Sequence, residues 1–292
     1  MIIVVIKMNK LLIYGFGYTA KYLSKKYAEN NFQIIGTSRD KDRIDNDNKY
    51  INIINDTEVD QFLDGNKSKL THILISTPPS DNGDPFFLNF KNHLSKLENL
   101  KWIGYLSATN VYGDHNGNYV NEESGTYPLT KKGKNRLRAE QQWKIISKQK
   151  DLPLHIFRLA GIYGPKRNFL ERIKNGEIKN IFKEGQYFSR IYIDDLIRLL
   201  FISMMNPNEM ITYNISDDMS SSSSEVIEFV CDLISIKCPE KIPYELFDES
   251  FKSESFYSEN KRIDNALIKR QFGIKLDYPT FREGYKNILS NE

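Results

Sequence analysis

Gly15-x-Gly17-x-x-Ala20 is a spacing with a chemical use. Two glycines and a small residue, set where an apolar run gives way to a helix, make a turn that accepts a pyrophosphate. Gly15 permits the tight turn. Gly17 has no Cβ, so a phosphate can approach the backbone. Ala20 is small enough for the helix to lie close to the strand. The helix N-terminus then offers N–H groups and a partial positive charge to the phosphates. A glycine turn in any α/β fold has the same letters, so the flanking elements decide what it means.

Those elements suit the chemistry. Leu11 to Tyr14 reads as a short buried strand. After it, Ala20, Leu23, Tyr27 and Ala28 recur at helical spacing, with Lys21, Lys25 and Lys26 on the other side. Phe32 to Thr37 is a second strand, so the turn lies in a βαβ unit. The next strands are read at Tyr50–Ile54, Thr71–Ser76, Lys101–Leu106 and Pro153–Leu159, with a helix over Phe86–Leu97. Strands alternating with helices predict a Rossmann-type, doubly wound parallel sheet. Ligands of such a sheet sit at the carboxyl ends of its strands. Here those ends are the Gly15 turn, Thr37–Arg39, Ser76–Pro78 and Ser107–Thr109. An acid at the end of the second strand would suit a ribose 2′-hydroxyl, and an arginine suits a 2′-phosphate. Ser38 and Arg39 therefore favour NADP(H) over NAD(H), while Asp40 keeps NAD(H) open.

Beyond Pro165 helices lengthen and strands become sparser. The expected division is a dinucleotide-binding domain over residues 1–165 and a smaller, mainly helical substrate-side region over 166–292, parts of which return to the sheet. Asp194 is read as a helix cap. Ser222-x-x-Glu225 and Thr280-x-x-Glu283 are capping boxes ahead of apolar periodic runs. Phe247–Ser258 has no clear period and reads as a mobile or substrate-covering loop.

With 292 residues, 40% of them hydrophobic, the chain can bury a full core. Its 41 basic and 38 acidic residues give a net charge of only +3, interspersed, which argues against a nucleic-acid or membrane partner. Cys231 and Cys238 read as free thiols of a reducing, cytoplasmic compartment, and no metal motif is present. Met1–Lys7 is apolar but too short for a membrane span, and Met8 is an equally good start. His72 and His155 alternate with apolar residues inside strands and read as structural.

Gly15–Ala20, Ser107-Ala108-Thr109-Asn110-Val111-Tyr112-Gly113, Arg158–Pro165 and Arg190-Ile191-Tyr192-Ile193-Asp194-Asp195 stand in an order that resembles the extended short-chain dehydrogenase/reductases, the NAD-dependent epimerase/dehydratase group. An atypical branch is closest, by Val111–Asp114, Asn121-Glu122-Glu123 and Tyr278–Gly284. The resemblance implies cofactor contacts at Gly15, Phe16, Gly17, Tyr18, Thr19 and Ala20, and at Ser38 and Arg39. It adds Ser76, Thr77 and Pro78, then Ser107 and Arg136, then Leu159 and Ala160. It also implies a small, sugar-like substrate and a possible homodimer.

Active members of that group carry a Tyr-x-x-x-Lys pair on a helix and a Ser or Thr on the neighbouring strand. The tyrosine exchanges a proton while hydride moves at the adjacent carbon, the lysine lowers its pKa, and the hydroxyl orients the substrate oxygen. Counted from Glu140, Arg136 falls at the lysine position and Lys132 at the tyrosine position; counted from Val111, the serine position is Ala108, between Ser107 and Thr109. Arg136 can hold a ribose or a phosphate but cannot give up a proton, because its pKa stays above ~12. Candidate catalytic groups are therefore Thr109 or Ser107 to orient oxygen, Lys132 as a proton donor if its pKa is lowered, and Tyr112, Tyr127 or Tyr163 as a substitute phenol.

Two functions follow. The first is an NAD(P)-dependent oxidoreductase, epimerase or dehydratase, including an isomerase or lyase that uses bound NADP without net oxidation. The second is a non-catalytic NADP-binding protein whose role is regulatory or lies in a partner.

Overall fold

The computed structural model describes residues 8–28, 32–39, 51–248, 250 and 256–291, with backbone alone at 51–53. Met1–Lys7 and Asp40 lie outside the described residues, as does part of Phe247–Ser258. The chain divides into two units that interleave along the sequence, a different division from the expected boundary at residue 165. Unit 1 is Met1–Ser107, Asn135–Phe157 and Ile197–Thr212; unit 2 is Ala108–Lys134, Arg158–Leu196 and Tyr213–Glu292.

Unit 1 is built on the central sheet. Its strands are β1 (Asn9–Tyr14), β2 (Phe32–Ser38), β3 (Ile51–Asn55), β4 (His72–Ile75) and β5 (Trp102–Ala108). With β6 (Tyr119–Val120) and β8 (Gly161–Tyr163) lying elsewhere, β7 (Leu154–Leu159) and β11 (Ile211–Ile215) complete seven strands in the order β11-β7-β5-β4-β1-β2-β3. The pairs from β3 through β2, β1 and β4 to β5 are all parallel. The order reverses direction at β1, between β2 and β4, which is where a doubly wound sheet opens a crevice for ligands. Sequence reasoning missed β11, because Ile211–Ile215 is short and its Thr212 and Asn214 interrupt the apolar run.

Helices α1 (Tyr18–Tyr27), α2 (Val59–Gly65), α3 (Pro85–Leu94) and α4 (Lys131–Lys150) flank the sheet. One core cluster joins β1, β4 and β5 to α3 and α4 through Tyr14, Ile73, Ile75, Phe86, Phe90, Tyr105 and Trp143. Tyr14 and Phe86 meet edge-on at 5.3 Å, and Phe87 meets Trp143 edge-on at 5.5 Å.

Unit 2 combines short two-stranded parallel ladders with helices. β8 pairs β10 (Arg190–Tyr192), β9 (Asn180–Phe182) pairs β12 (Lys241–Pro243), and β6 pairs β13 (Arg262–Ile263). Its helices are α5 (Leu170–Lys174), the first turn of α6 (Ile193–Met205), α7 (Ser223–Leu233), α8 (Ala266–Phe272) and α9 (Phe281–Ser290). Both capping boxes form: Ser222 with Glu225 starts α7, and Thr280 with Glu283 starts α9. Asp194 is not a cap, since α6 already begins at Ile193 and places Asp194 and Asp195 in its first turn. Asp195 instead accepts the backbone N–H groups of Asp277 and Tyr278, at 2.9 and 2.8 Å.

Candidate functional site

The glycine turn of unit 1 is tied down from β2. Phe16 N–H donates to the Thr37 carbonyl at 2.8 Å, and Gly15 N–H donates to Thr37 Oγ1 at 3.0 Å. Gly15 has φ +96°, and a Cβ there would lie 2.7 Å from Thr77 Cγ2 and 3.1 Å from Thr77 N. Gly is therefore required by both backbone and space. At Gly17 the opposite holds: a Cβ would meet nothing within 4 Å, and the residue is exposed. No side chain caps α1, and no acid stands in its first turn. Thr77 Oγ1, from the loop after β4, is buried without a hydrogen-bond partner. Open space over Gly17, an uncapped helix start and an unused hydroxyl fit the phosphates of a dinucleotide.

Of the other expected cofactor contacts in unit 1, Ser38 is half-buried and Arg39 is exposed at the end of β2, where a 2′-phosphate could be met. Ser76 N–H donates to the Tyr14 carbonyl at 2.9 Å, which fixes the start of the loop, and Pro78 is exposed. Leu159 and Ala160 belong to unit 2, where Ala160 N–H donates to the Ile215 carbonyl at 2.9 Å.

The carbonyl end of β5 meets α4 within unit 1. Ser107 Oγ donates to Glu140 Oε1 at 2.6 Å, and both side chains are buried. That bond commits the Ser107 hydroxyl, and Ser107→Ala leaves a buried carboxylate oxygen without it. The expected cost is about 2 kcal/mol, read from urea unfolding; an unchanged midpoint would show that Glu140 finds another donor. Arg136 Nη1 donates to the Leu106 carbonyl. The loop after β4 lies on the same helix: Asn135 Nδ2 donates to Asp81 Oδ1 at 2.9 Å, and Arg138 Nη1 to the Asp81 carbonyl. Asp84 is wholly buried and caps α3 by accepting Phe87 N–H at 2.8 Å. Burial pushes its carboxyl up to about 6, with the Phe87 hydrogen bond and the Arg136 charge opposing the rise.

The remaining candidates lie in unit 2. Thr109 is half-buried, and Lys132 is exposed on the first turn of α4. Tyr112 is wholly buried and donates to Asn214 Oδ1 at 2.6 Å; burial pushes its phenol up to about 12. The Arg158 guanidinium stacks over its ring at 4.8 Å. Glu122, half-buried, accepts Asn214 N–H at 2.7 Å. Tyr163 is buried against Tyr285 and Tyr192, and burial raises its phenol strongly. Tyr127 is 68% exposed. The structure thus brings Ser107 and Arg136 to one end of β5 and commits Ser107 and Tyr112 to internal hydrogen bonds.

Sequence reasoning did not single out Asp84, and it named Thr37 only as a strand end and Glu140 only as a counting mark, without the bonds to Gly15 and Ser107 that they make. A threonine closing the strand after a glycine turn, and a glutamate three turns into a basic helix, were the available signals. Cys231 is buried and Cys238 half-buried, both unoxidised. Among the described residues no group of side chains could hold a metal, and no helix is long and apolar enough to cross a membrane.

Comparison with known proteins bears on the family and the fold. The model of the NAD dependent epimerase/dehydratase family matches residues 11–216. A solved structure of a functionally unknown conserved protein from Silicibacter pomeroyi DSS is 36% identical, with a TM-score of 0.89 over 97% of this chain and 99% of that one. A UDP-N-acetylglucosamine 4-epimerase from Methanobrevibacter ruminantium M1, solved with UDP-N-acetylmuramic acid, has a TM-score of 0.79 over 98% of this chain and all of its own, at 15% identity, a likeness of fold alone. The ADP-L-glycero-D-manno-heptose-6-epimerase of Brachyspira hyodysenteriae is 24% identical over 137 residues, which span 42% of this chain and 43% of that protein.

Proposed function

Because this chain belongs to the NAD-dependent epimerase/dehydratase family, we propose that it binds NADP(H) through unit 1 and acts on a small, sugar-like substrate. The observation that carries this reading is the turn at Gly15–Ala20, with Gly17 facing open space and α1 left uncapped. Gly15 to Ala20 and Thr77 hold the pyrophosphate, Ser38 and Arg39 the 2′-phosphate, and Arg136 the ribose of the nicotinamide half. When bound, the nicotinamide supplies reversible hydride exchange at a carbinol or carbonyl carbon.

The protein's own contribution to that chemistry is reduced relative to the family pattern. Arg136 stays charged and serves only to bind. Ser107 and Tyr112 already donate their hydroxyl protons inside the protein. That leaves Thr109 to orient the substrate oxygen and, for the proton, the two exposed candidates, Lys132 and Tyr127. A non-catalytic NADP-binding role is the second reading, and the same two committed hydroxyls favour it.

The test is a thermal-shift titration with NADP(H) and NAD(H) side by side. A ligand that binds only the folded state stabilises it by about 2.7 kcal/mol at ~100 times its dissociation constant. NADP(H) is expected to raise the melting temperature more than NAD(H). Gly17→Asp is expected to abolish the shift, and Arg39→Ala to remove the difference between the two nucleotides. No shift with either nucleotide would end the cofactor reading. Turnover of a carbonyl panel with NADPH, lost in Lys132→Ala or in Tyr127→Phe, separates the enzyme from the binding protein.

A further inference from the structure

One residue of the neighbouring strand holds two consecutive amides of the glycine turn. The β1–β2 ladder runs to Ile13 opposite Gly36. Next to Gly36, Thr37 pairs with Ile54 of β3 on one edge of its strand and meets the turn on the other. Its carbonyl accepts Phe16 N–H at 2.8 Å, and its hydroxyl oxygen accepts Gly15 N–H at 3.0 Å. Thr37 is 1% exposed, so water does not compete for either bond. Any residue supplies the carbonyl. The bond to Gly15 needs a side-chain acceptor.

The other amides of the turn show why that bond matters. Gly17 N–H donates back to the Gly15 carbonyl at 3.0 Å, and Lys21 N–H donates to the Gly17 carbonyl at 3.0 Å as α1 opens. The N–H groups of Gly15, Phe16 and Gly17 are therefore all engaged inside the protein. The donors left to a pyrophosphate are those of the first turn of α1, which no side chain caps. Their direction depends on how the turn enters the helix.

Two of the three residues of that turn are glycines, the residue type with the widest choice of backbone angles. Packing limits Gly15 on one side, where a Cβ would lie 2.7 Å from Thr77 Cγ2. Thr77 Oγ1 makes no hydrogen bond there. The Thr37 hydroxyl fixes the other side by a directed bond. Ser38 and Arg39 follow Thr37 in the chain, so the same strand end carries the residues read as meeting a 2′-phosphate.

We propose that Thr37 is a positioning residue of the dinucleotide site, its hydroxyl oxygen fixing Gly15 and with it the direction in which α1 presents its first amides to the pyrophosphate. This rests on the reading of unit 1 as a dinucleotide site. Thr37 acts only through the turn and touches no reactant. A turn ordered before the ligand arrives does not have to be ordered by it, and affinity gains accordingly.

The test is fluorescence titration with NADPH and with NADH, well below the melting temperature, so that global stability does not enter. Thr37→Val keeps the size and the buried methyl group and removes the acceptor. Both nucleotides carry the pyrophosphate, so both are expected to bind about tenfold more weakly, the scale of a hydrogen bond whose donor is left unpaired. Thr37→Ser returns the oxygen and is expected to bind both within about twofold of wild type. Arg39→Ala, by contrast, should weaken NADPH alone. Wild-type affinity in Thr37→Val would overturn the proposal. So would a Thr37→Ser as weak as Thr37→Val, which would assign the effect to the methyl group. A loss confined to NADPH would overturn it too, by placing the effect at the 2′-phosphate. A second readout needs no nucleotide: exchange of the Gly15 amide hydrogen should quicken about tenfold in Thr37→Val and stay slow in Thr37→Ser. Equal exchange in wild type and Thr37→Val would remove the bond. If the wild-type protein binds neither nucleotide, the cofactor reading falls and this proposal with it. A wild type that binds, with an indifferent Thr37→Val, takes down the Thr37 proposal alone.

Discussion

Acidification from about pH 7.5 to about pH 4.5 is expected to cost the wild-type protein some 2–3 kcal/mol more than it costs a His155→Gln variant. The cause is a neutral imidazole locked into the core. His155 is wholly buried between β7 and α6, with Nδ1 2.6 Å from Ser203 Oγ, while Nε2 accepts Asn208 N–H at 3.3 Å. Both ring nitrogens are occupied by the neutral tautomer that donates from Nδ1. A proton at Nε2 would break the Asn208 bond and place a charge among Trp102 and Phe157. Burial accordingly lowers the pKa from 6.5 to about 4.

The sign follows from linkage. A depressed folded pKa gives stability that is fully present above 6.5 and lost as pH falls toward about 4, because the unfolded chain binds the proton first. His72 behaves the same way, its pKa lowered to about 4 by burial, with Nε2 3.2 Å from the Met204 carbonyl. Asp84 has the opposite sign. Its carboxyl is raised to about 6, so its penalty is relieved as pH falls below that value. The wild-type curve is the sum of these opposing groups, and the difference between wild type and His155→Gln isolates one of them. Urea titrations at several pH values measure it; parallel curves for the two proteins would mean that His155 takes up its proton without penalty.

Gly113→Ala is expected to lower stability by ~3 kcal/mol or more, read from urea unfolding. Gly113 has φ +74°, a conformation that L side chains rarely adopt. An added Cβ would also run into the Tyr127 carbonyl oxygen and carbon. These are backbone atoms, held where they are because Tyr127 N–H donates to the Tyr112 carbonyl at 3.0 Å and Tyr127 bridges Gly113 directly. The clash therefore cannot be relieved by turning a side chain. Gly176→Ala is the control, with φ +68° and nothing within 4 Å of the new Cβ. It should show the backbone penalty of about 1 kcal/mol alone. Equal losses at the two glycines would remove the steric part of the argument.

What could be read from the sequence was local. The strand–glycine–helix turn, the capping boxes of Ser222 and Thr280, and strands β1 to β5 each show in a pattern of residues a few positions apart, so their period and punctuation survive in one dimension. The structural reading of His72 and His155 came from the same source, an alternation with apolar neighbours. The pairs that define the site are of another kind. Ser107 and Glu140 stand 33 residues apart, and the Gly15 turn is anchored by Thr37 from the next strand. Asp81 meets Asn135 and Arg138 only because a loop folds onto α4. Such partners are chosen by strand order and helix placement, and no spacing announces them. Two of the three candidate phenols went astray for the same reason: Tyr112 and Tyr163 look like loop residues beside a glycine, yet both are core side chains, whereas Tyr127 is exposed.

The interleaving of the two units bears on how the chain is made. The polypeptide passes between them at Ser107–Ala108, Lys134–Asn135, Phe157–Arg158, Leu196–Ile197 and Thr212–Tyr213. The sheet of unit 1 is therefore incomplete until β11 has been synthesised, at residues Ile211–Ile215. A nascent chain that has emerged only as far as β7 ends in an open strand edge, an edge that invites pairing with other chains. Unit 1 is thus completed late in translation, and the interval before that is when the growing polypeptide most needs chaperone cover.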